Sequence, residues 1–159
     1  MKNHGQIAEE LFREGYNCSQ AVLMAFEDVT GLEKETAAKI ASSFGGGVGR
    51  MREVCGAVSG MCMAAGLLYG YDDLADPEAK KAHYARIQEL CEAFRKRFGT
   101  LICRELLDQK TAADISPDPS PRTESYYRSR PCARQVGVAA EILEAYIQTH
   151  PVLHQGGRA

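Results

Sequence analysis

Apolar positions along the chain recur with the period of a helix, and no stretch of useful length alternates as a strand would. Ile7, Ala8, Leu11 and Phe12 form the stripe of a short first helix that stops near Gly15. Cys18, Val22, Ala25 and Val29 recur at i, i+4, i+7 and i+11 and predict one inward face of a second helix. Thr30 and Glu33 have the spacing of a capping box, opening a third helix with Ala37, Ile40, Ala41 and Phe44 inward. The run Phe44-Gly45-Gly46-Gly47-Val48-Gly49 breaks the period, and a helix rich in small residues follows from about Val54. Asp76-Pro77 is a cap followed by proline at the first helical position. Ile87, Leu90, Cys91, Phe94 and Phe98 line one face of the helix after it, and Arg95-Lys96-Arg97 complement its dipole at the end.

Thr100 is placed to cap a short helix containing Cys103, Leu106 and Leu107. Residues 108–130 then turn polar, with Pro117, Pro119 and Pro121 spaced so that no helix should persist. A loop of that length in a compact domain is functional or mobile. Pro131 opens a last helix, on which Cys132, Val136, Ala139, Leu143 and Ile147 share a face. The pattern predicts an all-α, single-domain helical bundle over residues 1–159, of about six or seven helices with the long Pro-rich loop before the last.

Composition agrees with one globular core: 159 residues, 45% hydrophobic and 25% charged. A formal charge of −2 gives no reason to expect nucleic acid as a partner. The uncharged residues 54–71, eighteen in all, reach the length of a membrane span. They are poor in Leu, Ile and Phe and rich in Gly, Ala and Ser, so the expectation is a central buried helix, not membrane insertion. Gly56 and Gly60, with Gly66 and Gly70, let neighbouring helices come close and would also suit a homodimer contact.

The six cysteines change the picture most: Cys18, Cys55, Cys62, Cys91, Cys103 and Cys132. The N-terminal residues hold no apolar signal core, which points to a reducing, cytoplasmic setting where cysteines are more often buried, reactive or metal-binding than cross-linked. Cys18, Cys55, Cys103 and Cys132 each fall in the first turn of a predicted helix. There unpaired N–H groups and the dipole should favour thiolate and lower the thiol pKa. Cys62 and Cys91 fall in helix interiors. Cys62 lies two turns beyond Cys55, about 10 Å along the axis, so the two cannot share one tetrahedral ion with bonds of about 2.3 Å. Both read as packing residues.

Other motifs carry less. The glycine run lacks the spacing of a phosphate loop and follows a helix; it permits a tight turn before Cys55, with Arg50 and Arg52 adding positive potential. His4, His83, His150 and His154 show no ligand spacing and read as surface residues. No C-x-x-C, C-x-x-C-H or Ser-His-Asp arrangement is present. Tyr126, Tyr127, Arg128 and Arg130, just before Cys132, are placed to cover a thiol site as a lid.

Cys18 in GYNCSQAVL, the segment GGGVGRMREVCGAVSG, Cys103 and the helix-opening Cys132 in PCARQVGVAAEIL together resemble the C_GCAxxG_C_C family of redox-active proteins. That family is named for four cysteines and a Cys-Gly-Ala-x-x-Gly motif, which reads here Cys55-Gly56-Ala57-Val58-Ser59-Gly60. The resemblance runs from about Ile7 to Leu143, and its cysteines are the four set apart above. A related domain occurs in a cytochrome with an iron–sulfur centre, so the resemblance implies a cluster on Cys18, Cys55, Cys103 and Cys132; four thiolates would satisfy the [2Fe–2S] type. The haem-binding parts of that relative have no counterpart here. Three functions stay open: electron transfer through such a cluster with a redox partner, cofactor-free thiol/disulfide exchange by the same cysteines, and a structural zinc site or plain helical binding module.

Overall fold

Two asparagines open the first two helices in the same way. Asn3 Oδ1 accepts from Gln6 N at 2.8 Å while Gln6 Oε1 accepts from Asn3 N at 3.0 Å. Asn17 and Gln20 repeat the exchange at 2.9 and 3.0 Å. Each capping box satisfies N–H groups that a helix start leaves unpaired. They begin α1 (His4–Glu14) and α2 (Cys18–Ala25). The computed structural model describes residues 1–153.

The second stripe ends sooner than its spacing predicts. Phe26 closes α2, and Val29 sits 37% exposed in the one-turn α3 (Glu27–Thr30). Thr30 and Glu33 form no capping box. Gly31, at φ 68°, turns the chain between them, and the Thr30 hydroxyl accepts from Leu32 N at 3.2 Å instead. In α4 (Lys34–Ala41) only Ala37 and Ala41 are buried; Ile40, expected inward, is 50% exposed. A 3₁₀ turn at Ser42–Phe44 follows.

The small-residue helix is α5 (Gly56–Tyr69), and α6 (Pro77–Phe98) opens as expected, with Asp76 accepting from Ala79 N at 3.0 Å. Then come α7 (Cys103–Leu106), α8 (Gln109–Ala113), α9 (Glu124–Ser129) and α10 (Cys132–Thr149). The segment 108–130 is thus not helix-free. Its prolines interrupt only the middle, and Asp108 and Thr123 cap a short helix on either side. These short pieces bring the described residues to ten α-helices where about six or seven were expected. The fold is all-α, with an isolated antiparallel bridge between Val54 and Ile102.

Packing centres on α2, which touches α1, α4, α5 and α10. Apart from Cys18 and Gln20 every residue of α2 is buried, so its apolar surface covers all sides and not one stripe. Val22, Leu23, Met24 and the following Phe26 are at most 3% exposed, and each such side chain contributes about 1.5–3 kcal/mol. On α5, Gly56 and Gly60 face α2 within the chain, while Leu67 near its far end is 52% exposed. Among the described residues no helix is long and apolar enough to cross a membrane.

Two histidines depart from the surface reading. His4 stacks on Phe26 at 4.4 Å between the carboxylates of Glu144 (2.7 Å) and Asp28 (3.0 Å). His83 is 9% exposed beside Arg86. Burial and that guanidinium lower its pKa. His150 is exposed as expected, and His154 lies outside the described residues.

Candidate functional site

Four separate helix starts meet at one cavity. Cys18, Cys103 and Cys132 are the first residues of α2, α7 and α10, and Cys55 immediately precedes α5. All four side chains line a cavity of about 50 Å³, walled further by Phe12, Leu106, Leu107 and Tyr126 and by the guanidinium-bearing Arg52, Arg122 and Arg130. Cys62 and Cys91 are not part of it. They face one another across α5 and α6, sulfur to sulfur, at 3.9 Å. Each is partly buried beside the core.

Local backbone explains how the sulfurs arrive. Asn17, besides capping α2, donates from Nδ2 to Ser42 O at 3.2 Å, and Gln20 Nε2 reaches Ala38 O at 3.0 Å. That ties the start of α2 to the end of α4. Cys55 and Cys103 are aligned by the Val54–Ile102 bridge: Cys55 N donates to Leu101 O at 2.8 Å and Cys103 N to Glu53 O at 2.6 Å. Gly56 is obligatory for the meeting of α5 with α2, because a Cβ there would lie 2.3 Å from Cys18 Sγ and 2.7 Å from Phe44 O. A Cβ at Gly60 would meet Ser19 O at 2.6 Å. Both glycines of the Cys-Gly-Ala-x-x-Gly motif therefore act by letting two backbones touch.

Between the 3₁₀ turn and Cys55 the chain makes a left-handed coil. Gly46, Gly47, Val48, Gly49 and Arg50 have φ of 64°, 73°, 64°, 55° and 68°, and Arg52 follows at 62°. Arg52 N and Glu53 N close it by donating to Gly46 O and Gly47 O at 3.0 and 2.9 Å. A non-glycine residue in this region costs about 1–2 kcal/mol, and a β-branched one such as Val48 is a genuine outlier. The coil delivers Arg52 inward. Its side chain is 2% exposed, and Nε and Nη2 donate to Asp114 O at 3.2 and 3.1 Å. Arg50, also expected to add potential near the thiol, is not among the residues lining the cavity and donates to Asp114 Oδ2 (3.0 Å) and Ser116 O (2.7 Å).

The segment before α10 closes the cavity from the other side. Arg122 was not singled out by the sequence, where it is one arginine after three prolines. It donates to Phe12 O (3.0 Å) and Tyr16 O (3.1 Å), and its guanidinium lies 4.5 Å from the Phe12 ring centre and 4.8 Å from that of Tyr126. Arg130 stacks on the other aromatic contact, 4.4 Å from the Tyr126 centre, and donates to Ser120 Oγ at 3.0 Å. Of the four residues read as a lid, Tyr126 and Arg130 line the cavity. Tyr127 braces α1 by donating to Arg13 O at 3.1 Å, and Arg128 is exposed.

The electrostatics reverse one expectation. Helix-start thiols were expected to ionise easily, yet Cys55, Cys103 and Cys132 all move the other way. Burial is the largest cause in each, and proximity to Cys18 comes second. Cys132 is pushed up to about 12. N–H groups of Ala57 and Val58 favour the thiolate of Cys55, Arg52 that of Cys103, and Arg130 and Arg122 that of Cys132, but none overcomes desolvation. Among the described residues no three of His, Cys, Asp or Glu are arranged to hold a metal ion.

No curated protein and no solved structure matches the chain. The family model described as "Putative redox-active protein (C_GCAxxG_C_C)" matches residues 16–146, a span that includes all four cavity cysteines. The chain therefore belongs to the C_GCAxxG_C_C family, whose members are described as redox-active.

Proposed function

We propose that Cys18, Cys55, Cys103 and Cys132 hold an iron–sulfur cluster, [2Fe–2S] in type, and that the protein carries single electrons. One observation carries this reading: four thiols from four helix starts face one small cavity together with Arg52, Arg122 and Arg130. Four cysteines supply a full ligand set for such a cluster, which when bound provides a reversible one-electron couple. The three guanidiniums suit an occupant whose thiolate ligands make it anionic overall, and the N–H groups at the helix starts act in the same sense. Phe12, Tyr126 and Leu106 hold water back, so these charges act at short range in a weakly screening environment.

The competing readings draw less support. Thiol/disulfide exchange needs an attacking thiolate, whereas burial pushes Cys55, Cys103 and Cys132 above the ordinary thiol range and so disfavours that form. A structural zinc site needs donors converging on one point.

Anaerobic purification of the full chain tests the proposal, with iron, acid-labile sulfide and zinc assayed alongside a visible spectrum. The expected result is brown protein containing iron and sulfide in equal amounts. Colourless protein lacking both, even after anaerobic reconstitution, overturns it. In that case stoichiometric zinc points to the structural site, and loss of two or four thiols on mild oxidation points to disulfide cycling.

A further inference from the structure

Cys62 and Cys91 take no part in the cavity, yet their sulfurs face one another at contact distance. They sit on different helices, 29 positions apart in sequence, with sulfurs 3.9 Å from one another. A disulfide bond is about 2.05 Å long, so closure asks each sulfur to move by roughly 1 Å, within reach of a small side-chain rotation. Both thiols are only partly buried, which leaves an approach from solvent. Arg95 lies one turn beyond Cys91 on α6, and its charge favours the Cys91 thiolate. The surroundings also make the two thiols unequal. A hydrogen bond from Cys62 lowers the pKa of Cys91, while the same bond, with burial, raises that of Cys62.

We propose that Cys62 and Cys91 are a second thiol site, a dithiol that closes reversibly into a disulfide between α5 and α6 when it meets a small disulfide oxidant. Cys91 thiolate attacks one sulfur of the oxidant R–S–S–R. The bond between the oxidant's sulfurs breaks, and the released thiolate takes up a proton. Cys62 then gives up its proton and attacks the Cys91 sulfur of the mixed disulfide, displacing the second RS group as thiol. Two protein thiols lose two electrons, and one external disulfide gains them. The product staples α6, which buries only His83, Leu90 and Phe94 along its length, to α5, whose first turn adjoins Cys55. The site is independent of whatever the four-cysteine cavity holds.

The test uses the full chain, reduced and then treated anaerobically with hydroxyethyl disulfide, alkylated, digested with trypsin and mapped by mass. The expected product is residues 53–80 linked to residues 87–95, lighter by two hydrogens and released by dithiothreitol. Because the first peptide also contains Cys55, the link should persist in Cys55→Ala and vanish in Cys62→Ala. Iron and sulfide content in Cys62→Ala and Cys91→Ala should stay at the wild-type level. A link that survives Cys62→Ala, or separate hydroxyethyl adducts on Cys62 and Cys91 with no link, overturns the proposal. So does alkylation of both thiols after oxidant treatment to the same extent as before it.

Discussion

Gly56 stands where one methyl group would strike Cys18 Sγ at 2.3 Å and Phe44 O at 2.7 Å. The second contact is backbone and cannot swing aside, so Gly56→Ala should cost about 1–3 kcal/mol in denaturant unfolding and also lower iron retention. Arg122 works through attraction. Arg122→Ala removes donation to Phe12 O and Tyr16 O and the stacking on two rings. A loss of about 2–4 kcal/mol is expected, with Arg122→Lys recovering only part, since a lysine cannot reproduce the planar fork. Thiol chemistry separates the residues in a third way. Cys91 is brought down to about 7, first by its hydrogen bond with Cys62, whereas burial holds Cys132 up to about 12. In reduced, metal-free protein near pH 7, iodoacetamide should label Cys91 well ahead of Cys132. The advantage of Cys91 should fade in Cys62→Ala; equal rates for the two thiols in wild-type protein would contradict it.

At the scale of elements, the left-handed coil from Gly46 to Arg50 shows how local strain is held by its neighbours. Gly47→Ala would place a methyl 2.6 Å from Glu53 N and 2.8 Å from Cys103 Cβ, at a φ of 73°. It should lower the thermal midpoint and displace Cys103, seen as faster alkylation of that thiol. The glycine run announced a tight turn, but its hand was hidden. Val48, Arg50 and Arg52 are residues that avoid positive φ, and they accept it because hydrogen bonds between distant parts of the turn close the coil. The same distinction runs through the helices. Asp76-Pro77 was legible because cap and proline act within one turn. The false capping box at Thr30 failed because Gly31 makes a turn there, and Ile40 was misplaced because α4 is too short for a full inward stripe.

For the whole molecule, the all-α fold and the placing of four cysteines at helix starts could be read from periodicity, since both depend on near neighbours in sequence. Their meeting could not. It depends on the Val54–Ile102 bridge, on Gly56 and Gly60 against α2, and on Arg122 reaching back to α1, all contacts between remote stretches. The thiol pKa direction was missed for a related reason: a helix start favours thiolate locally, while desolvation is a property of the packed whole. A pH dependence follows from that sign. Cys55, Cys103 and Cys132 hold their protons more tightly folded than unfolded. Their contribution is complete below the ordinary thiol value of 9.0 and is lost as pH rises through their raised values, about 12 for Cys132. The thermal midpoint of the reduced, metal-free protein should fall across that interval, and less steeply in Cys132→Ala. A midpoint that holds level or rises there would contradict the assignment.

The most direct test of the central claim compares all six single Cys→Ser variants, purified without oxygen and assayed for iron and acid-labile sulfide per chain. Cys18→Ser, Cys55→Ser, Cys103→Ser and Cys132→Ser should each lose most of both, while Cys62→Ser and Cys91→Ser should match the parent protein. If iron and sulfide were lost equally from all six, or from either member of the α5–α6 pair alone, the four-helix cavity would not be where the metal is held.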